Sequence, residues 1–336
     1  MSVRLGTLYV VAAFALCSVC AGGARAEPSE IRIAQQYGVN YLPLLVMKKN
    51  RLVEKQAQAA GLGSVTVTWT QFGSGAAMND ALIAGSLDFA SGGVGPLIKI
   101  WDKTRGQIDV KGVASLGSMP LYLTTIDPNV RTIADFTSKD RIALPAVKVS
   151  IQAIVLEMAA AQVFGEKQYD KLDAITVSMQ HPDAMAALLS RKTEVSAHFA
   201  NAPFQEQELQ APGVREVLSS YDVVGRSTLN SLYTTAKFHD TNPKAYGAVL
   251  AALNEAIDII NRDKPAAART YVEEEHSKLA PEFVAKILEH PDFVVTAVPE
   301  GIMKYADFMH RTGSIRNLPQ SWKDVYFPEI QGEPGS

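Results

Sequence analysis

The sequence predicts a mixed α/β protein built as two similar lobes. Three observations carry that expectation. Strand-like runs alternate with amphipathic helical runs through the first two thirds of the chain, small-residue turns recur at strand-to-helix junctions, and one helix–turn–acidic–strand unit occurs twice. Composition agrees: of 336 residues, 47% are hydrophobic and 20% charged, with 23 Gly and 17 Pro. This is an ordinary globular profile, which argues against disorder, a collagen-like repeat or a multi-span membrane protein. The formal charge is -3, from 32 basic and 35 acidic residues, with no Lys/Arg-rich run. Nucleic acid is therefore not an expected partner.

The first segment is expected to lie outside the fold. Met1–Arg4 carries one basic residue, Leu5–Ala21 is uncharged, and Ala24-Arg25-Ala26 is an A-x-A pattern before Glu27 and Pro28. This predicts a secretory signal peptide over 1–26. A single membrane anchor is the competing reading, although the uncharged run is at the short edge for a spanning helix. Cleavage after Ala26 would remove Cys17 and Cys20, the only 2 cysteines, and with Arg4 and Arg25 gone would move the charge to about -5. A cysteine-free exported chain of roughly 310 residues suits a bacterial periplasm and is long enough for two lobes.

The predicted elements follow in order. Ile31–Ala34 is a short β-branched strand, and Asn40 can cap a helix that has Pro43 in its first turn and runs to about Leu52. Val65–Trp69 is a second strand, Ala76–Ala84 a helix ended by Gly85, and Leu87–Ala90 a third strand. The order is βαβαβ. Leu121–Thr125 is extended after Pro120, Ile142–Leu144 starts a second series, Ser150–Phe164 is a helix with Gly165 at its end, Ala174–Ser178 a strand and Pro182–Ser190 a helix. The repeated unit is Asp80–Phe89 and again Asp183–Phe199. Leu229–Thr235 resembles Leu121–Thr125 in its Leu, Tyr and Thr content, so the two are expected to pair antiparallel and cross between lobes. Beyond Asn242 the chain is almost wholly helical. Val249, Leu250, Leu253, Ile257 and Ile260 mark one buried face, and this tail is expected to pack back onto the first lobe.

Enzyme signatures are missing: there is no H-E-x-x-H, no G-x-S-x-G and no P-loop. The histidines at 181, 198, 239, 276, 290 and 310 show no metal-ligand spacing. What recurs is glycine at strand-to-helix turns, Gly73-Ser74-Gly75 and Gly92-Gly93-Val94-Gly95-Pro96. Such turns let a ligand approach the backbone, and helix N-termini favour an anion; tight turns with no ligand are the plainer reading. In the second lobe, Pro145–Gln152 joins a strand to the long helix, with Ser150 as its cap and Gln152 in its first turn. Lys148 is the only basic residue in these junctions, either a ligand attractor or a solvated loop lysine. His181 and His198 close two further strands and are read equally well as structural. Tyr37, Tyr41 and Phe199 would supply apolar walls or simply core.

Tyr37-Gly38 through Pro43, the Gly73 turn, Ala81–Phe89, Pro120–Leu123, Leu144–Gln152 and His198–Phe204 together resemble the nitrate/sulfonate/taurine class of ABC-transporter substrate-binding proteins, over most of residues 30 to 265. The resemblance implies a type II periplasmic binding fold, two α/β lobes joined by two crossing strands. On that frame lobe one is expected over 27–120 plus 228–336 and lobe two over 121–227. It also implies a small-molecule ligand, a permease and an ATPase as partners, a monomer, and neither catalysis nor a cofactor. The matching loops carry over Tyr37, Tyr41, Ser74, Gly75, Gly95, Pro96, Ser150, Gln152, His198 and Asn201 as ligand-binding positions, with Lys148 and Phe199 beside them. Arg191-Lys192-Thr193 and Asn201-Ala202-Pro203 depart from the family pattern and leave ligand identity open. The expected ligand is a small organic anion, a sulfonate or related carboxylate. A neutral heterocycle such as a pyrimidine or thiamine precursor is the alternative, as is an enzyme of pyrimidine-synthase type on the same fold.

Overall fold

A computed structural model describes residues 27–336; the expected signal peptide, 1–26, lies outside the described residues. The chain begins with β1 (Glu30–Gln35), α1 (Leu42–Lys49), α2 (Leu52–Ala59), β2 (Thr66–Gln71), α3 (Gly75–Ile83), β3 (Phe89–Gly93), α4 (Val94–Thr104) and β4 (Val110–Gly117). It then forms β5 (Tyr122–Thr125), β6 (Ile142–Leu144), α5 (Ile151–Phe164), β7 (Thr176–Ser178), α6 (His181–Ser190), β8 (Ala197–Ala200), α7 (Phe204–Gln210), β9 (Arg215–Ser219) and α8 (Ser220–Val224). It returns through β10 (Asn230–Thr235) to α9 (Ala236–Thr241), α10 (Pro243–Arg262), α11 (Lys264–Glu274), α12 (Pro281–Glu289) and α13 (Ile302–Arg311).

The expected alternation is present, with shifts that have local causes. The helix read from Asn40 to Leu52 is two helices, because Arg51 takes a left-handed backbone at φ +50° and turns the chain between α1 and α2. The third strand starts after Asp88 because that carboxylate turns back onto β1, accepting from the Arg32 amide at 2.8 Å and from its guanidinium at 3.0 and 2.8 Å. Gly92 and Gly93 consequently belong to the strand end, not to a turn after it.

Two five-stranded sheets result, ordered β2-β1-β3-β10-β4 and β7-β6-β8-β5-β9. In each, the first three strands are parallel and the fourth runs antiparallel to both neighbours. This corrects the expected pairing of Leu229–Thr235 with Leu121–Thr125. The two strands are alike because β10 and β5 hold the same position in different sheets, each buried between two neighbours; they are equivalents and not partners. The chain crosses between sheets in the short segments on either side of them, from Gly117 to Tyr122 and from Val224 to Asn230.

The tail also departs from expectation. Helix α10 packs on α1 and α2 as read from its buried face, and α11 on α1, but α13 lies against both α4 and α5. Phe308 of α13 packs edge-on against Tyr169 from the second-sheet region, and Tyr221 Oη donates to the Asp292 carbonyl at 3.2 Å. The C-terminal helices therefore bridge both sheets.

Where α12 meets α7, a largely apolar cavity of about 320 Å³ is walled by Met119, Tyr122, Phe283, Ile287 and Phe293. Glu206 borders it with Oε2 enclosed and unpartnered, and burial pushes its carboxyl up to about 7. A folded-state pKa above the unfolded one contributes stability at low pH that is lost as pH rises through about 7, on the order of 3 kcal/mol for this shift. Glu206→Gln should flatten the fall in melting temperature between pH 5 and pH 8; an unchanged slope would remove Glu206 as its source.

Candidate functional site

Parallel strands put the starts of their following helices on one edge of a sheet. Here both sheets turn that edge toward a common cleft. Helices α3 and α4 begin at Gly75 and Val94 after β2 and β3, while α5 and α6 begin at Ile151 and His181 after β6 and β7. Gly75, Gly93, Pro96, Ser150, Ile151, Gln152 and His181 all line one cavity, completed by Gln36, Tyr37, Asn40 and Tyr41 after β1, by Asn201 after β8, and by Leu121, Pro145, Leu229 and Asn230. Among the described residues lining it there is no Asp, Glu, Lys or Arg. The cavity measures only about 20 Å³, room for a single water.

A network of amides holds the two sides together. Asn40 Nδ2 donates to Asn230 Oδ1 at 2.7 Å, and Asn40 Oδ1 accepts from Asn201 Nδ2 at 2.8 Å. Asn201 Nδ2 also reaches the Tyr37 carbonyl at 3.1 Å, and the Val39 amide donates to the Ala202 carbonyl at 2.9 Å. Asn201 Oδ1 is buried without a partner. Tyr41 Oη accepts from Gln36 Nε2 at 2.7 Å and from Asn230 Nδ2 at 2.5 Å. Burial raises the Tyr41 phenol well above its ordinary value, so its own O–H stays in place as a donor. On the helix side, Ser74 caps α3 by accepting from the Ala77 amide at 3.3 Å, and Ser150 caps α5 by accepting from Ala153 at 3.2 Å. Ser150→Ala should cost about 1 kcal/mol, read as a lower denaturant midpoint with the same slope.

Of the expected positions, the structure brings Tyr37, Tyr41, Gly75, Pro96, Ser150, Gln152 and Asn201 to the cavity. Five lie elsewhere. Ser74 is occupied as a helix cap one residue away. Gly95 serves close packing, since a Cβ there would sit 3.1 Å from Ile154 Cγ1. Lys148 takes a left-handed backbone at φ +61° that turns its side chain to solvent, where its ammonium lies 3.5 Å from Asp173; its carbonyl accepts from Lys99 Nζ at 2.9 Å. The expected attraction of an acidic ligand by Lys148 is thus not built into the cavity wall. His198 lies behind the wall, and Phe199 is core, paired with Leu123 on β5. Asn40, read as a helix cap, instead spends its side chain on Asn201 and Asn230, because α1 starts later, at Leu42, behind a 3-10 turn. Gln36, His181 and Asn230 were not among the expected site residues. Only His181 carried a usable signal, its place at the start of a helix after a strand.

Two sheets of identical strand order facing a shared polar cleft define a periplasmic binding-protein fold of the second type. The chain belongs to the NMT1-like family, whose sequence profile matches residues 24–273. Similar solved structures include the alkanesulfonate-binding protein SsuA from Xanthomonas axonopodis pv. citri bound to MOPS, at 20% identity and a TM-score of 0.65, covering 91% of this chain and 99% of that one. The aliphatic sulphonate binding protein SsuA of Escherichia coli is similar at 19% identity and a TM-score of 0.64, covering 91% and 100%. The nitrate-binding protein NrtA of Synechocystis follows at 16% and 0.65, covering 88% and 84%. A comparison with curated proteins finds no match.

Proposed function

We propose that the protein is the periplasmic solute-binding component of an ABC importer and captures a small organic anion, a sulfonate or related carboxylate, between its lobes. One observation carries the reading: four helix N-termini meet at a cavity lined by no carboxylate. Each contributes the positive end of a helix dipole, which favours negative charge. The solved relatives named for sulfonate and nitrate binding support the same class.

A cavity of about 20 Å³ holds no organic ligand, so binding on this reading requires the lobes, 27–120 plus 228–336 and 121–227, to part and reclose. The Asn201–Asn40 and Val39–Ala202 hydrogen bonds are the contacts that would open, and the two short crossing segments would flex. The closed form is selected by contacts that exist only in it. Export would rest on residues 1–26, and the closed monomer would dock on a permease coupled to an ATPase, without catalysis.

A thermal-shift screen of alkanesulfonates, aromatic carboxylates, nitrate and pyrimidines tests this. A ligand at 100 times its Kd should stabilise the chain by about 2.7 kcal/mol. Stabilisation by uncharged compounds alone would sink the anion assignment in favour of a neutral heterocycle, a reading supported by the lack of Lys or Arg among the described lining residues.

A further inference from the structure

Behind the second-sheet wall of the cleft runs a continuous chain of hydrogen-bonded side chains. Gln152 Nε2 lies 3.2 Å from His181 Nε2, His181 Nδ1 lies 2.8 Å from His198 Nε2, and His198 Nδ1 lies 2.5 Å from Glu208 Oε1. Thr124 Oγ1 closes the far end by donating to Glu208 Oε2 at 2.6 Å. All five residues are buried, His198, Glu208 and Thr124 completely. Only Gln152 and His181 reach the cavity. Holding a sheet together does not call for two imidazoles and a carboxylate in series.

The ends of the chain fix where its protons sit. Both Glu208 oxygens accept, Oε2 from Thr124 and Oε1 from His198, so His198 carries its hydrogen on Nδ1 and accepts at Nε2. His181 must then donate from Nδ1, which leaves its Nε2 as an acceptor for the Gln152 amide. In this arrangement the cleft wall carries an acceptor nitrogen, occupied by the Gln152 amide, with the Glu208 carboxylate buried behind it. Both oppose an anion.

A single added proton reverses both. Taken from solvent, it joins His181 Nε2; the His181 Nδ1 proton passes to His198 Nε2; His198 becomes an imidazolium against the Glu208 carboxylate. One hydrogen bond is given up: the Gln152 amide cannot donate to a protonated Nε2 and turns aside, which frees the new N–H for the anion. The wall then offers an N–H donor in place of a lone pair, and the buried charge is neutralised within the pair.

The surroundings permit this. Packed against the chain, β5 contributes Thr124, β6 Ala143, α5 Gln152 and α7 Phe204, whose ring stacks on His181 at 5.6 Å. The titratable groups facing it are His181, His198 and Glu208 themselves, with Glu206 near Glu208 on α7, its carboxyl pushed up to about 7 mainly by burial. Burial first, then His198, holds His181 well below the ordinary imidazole value, so the ring is neutral in the empty protein.

Resting on the anion-binding reading above, we infer that His181 contacts the ligand, and that the His181–His198–Glu208 chain takes up one proton with each anion bound. His198 and Glu208 are positioning residues in this scheme.

Two measurements on the wild-type protein test it. Nitrogen-15 NMR of the free protein at pH 7.5 should show both imidazoles neutral, protonated at Nδ1 and bare at Nε2; an imidazolium or a His181 Nε2–H there would overturn the inference. Calorimetric titration with ethanesulfonate, benzoate and nitrate, in two buffers of different ionisation heat, should show about one proton taken up per anion. Affinity should rise about tenfold for each pH unit lowered between the free and bound titrations. Glu208→Gln should abolish the uptake and flatten the pH profile. Binding without proton uptake overturns this inference and leaves the anion reading intact, whereas no binding by any of the three anions overturns that reading and this one with it.

Discussion

Gly38→Ala is expected to open the cleft and to lower the melting temperature as well. Gly38 has φ +131°, a region an L side chain rarely adopts. A Cβ there would overlap both Asn40 Oδ1 and Asn201 Nδ2, the two atoms whose hydrogen bond joins the sides of the cleft. Backbone strain alone costs about 1–3 kcal/mol, and the overlap adds to it because neither amide can withdraw without losing a buried partner. The check is amide exchange: Val39, whose N–H donates to Ala202 at 2.9 Å, should lose protection while core amides such as that of Ile33 keep theirs. Retained protection at Val39 would show that the loop absorbs the methyl group without parting the two sides.

The second large effect is expected at Asn40. Its side chain is the centre of the amide network, donating to Asn230 and accepting from Asn201, in a site where all three residues are buried. Asn40→Ala leaves Asn230 Oδ1 without that donor and Asn201 with only the Tyr37 carbonyl. An orphaned buried polar group costs about 1–3 kcal/mol, so a loss of about 1–3 kcal/mol is expected in denaturant unfolding. A double-mutant cycle with Asn230→Ala should return a coupling above about 0.5 kcal/mol; additivity would mean that Asn40 acts alone.

The frame of the fold was legible because periodicity reports it directly. Runs such as Ile31–Ala34 and the buried face of α10 declare strand and helix through spacing alone. Sheet membership was not legible in the same way. The likeness of Leu121–Thr125 to Leu229–Thr235 is real, but similar environments in two sheets produce the same residues as direct pairing would. At the site, helix starts could be read from glycine, proline and serine, which brought Gly75, Pro96, Ser150 and Gln152 to the right place. Polar residues whose role depends on a distant partner could not. Asn40 and Asn201 lie 161 positions apart, and nothing local distinguishes an amide that bridges a cleft from one that caps a helix. Lys148 misled for a related reason: a charge in a junction loop has a direction only once its backbone conformation is known, and φ +61° points it away.

The convergence of four helix starts has a consequence for how selectivity can change. The partial positive charge they bring to the cavity belongs to peptide groups, so no side-chain substitution deletes it. Replacing Tyr37, Gln152 or Asn201 alters shape and hydrogen-bond pattern against a constant electrostatic background. A library of variants at these positions should therefore redistribute preference among ligands of like charge far more readily than it reverses the sign of charge accepted, which makes the scaffold permissive to divergence in what it binds.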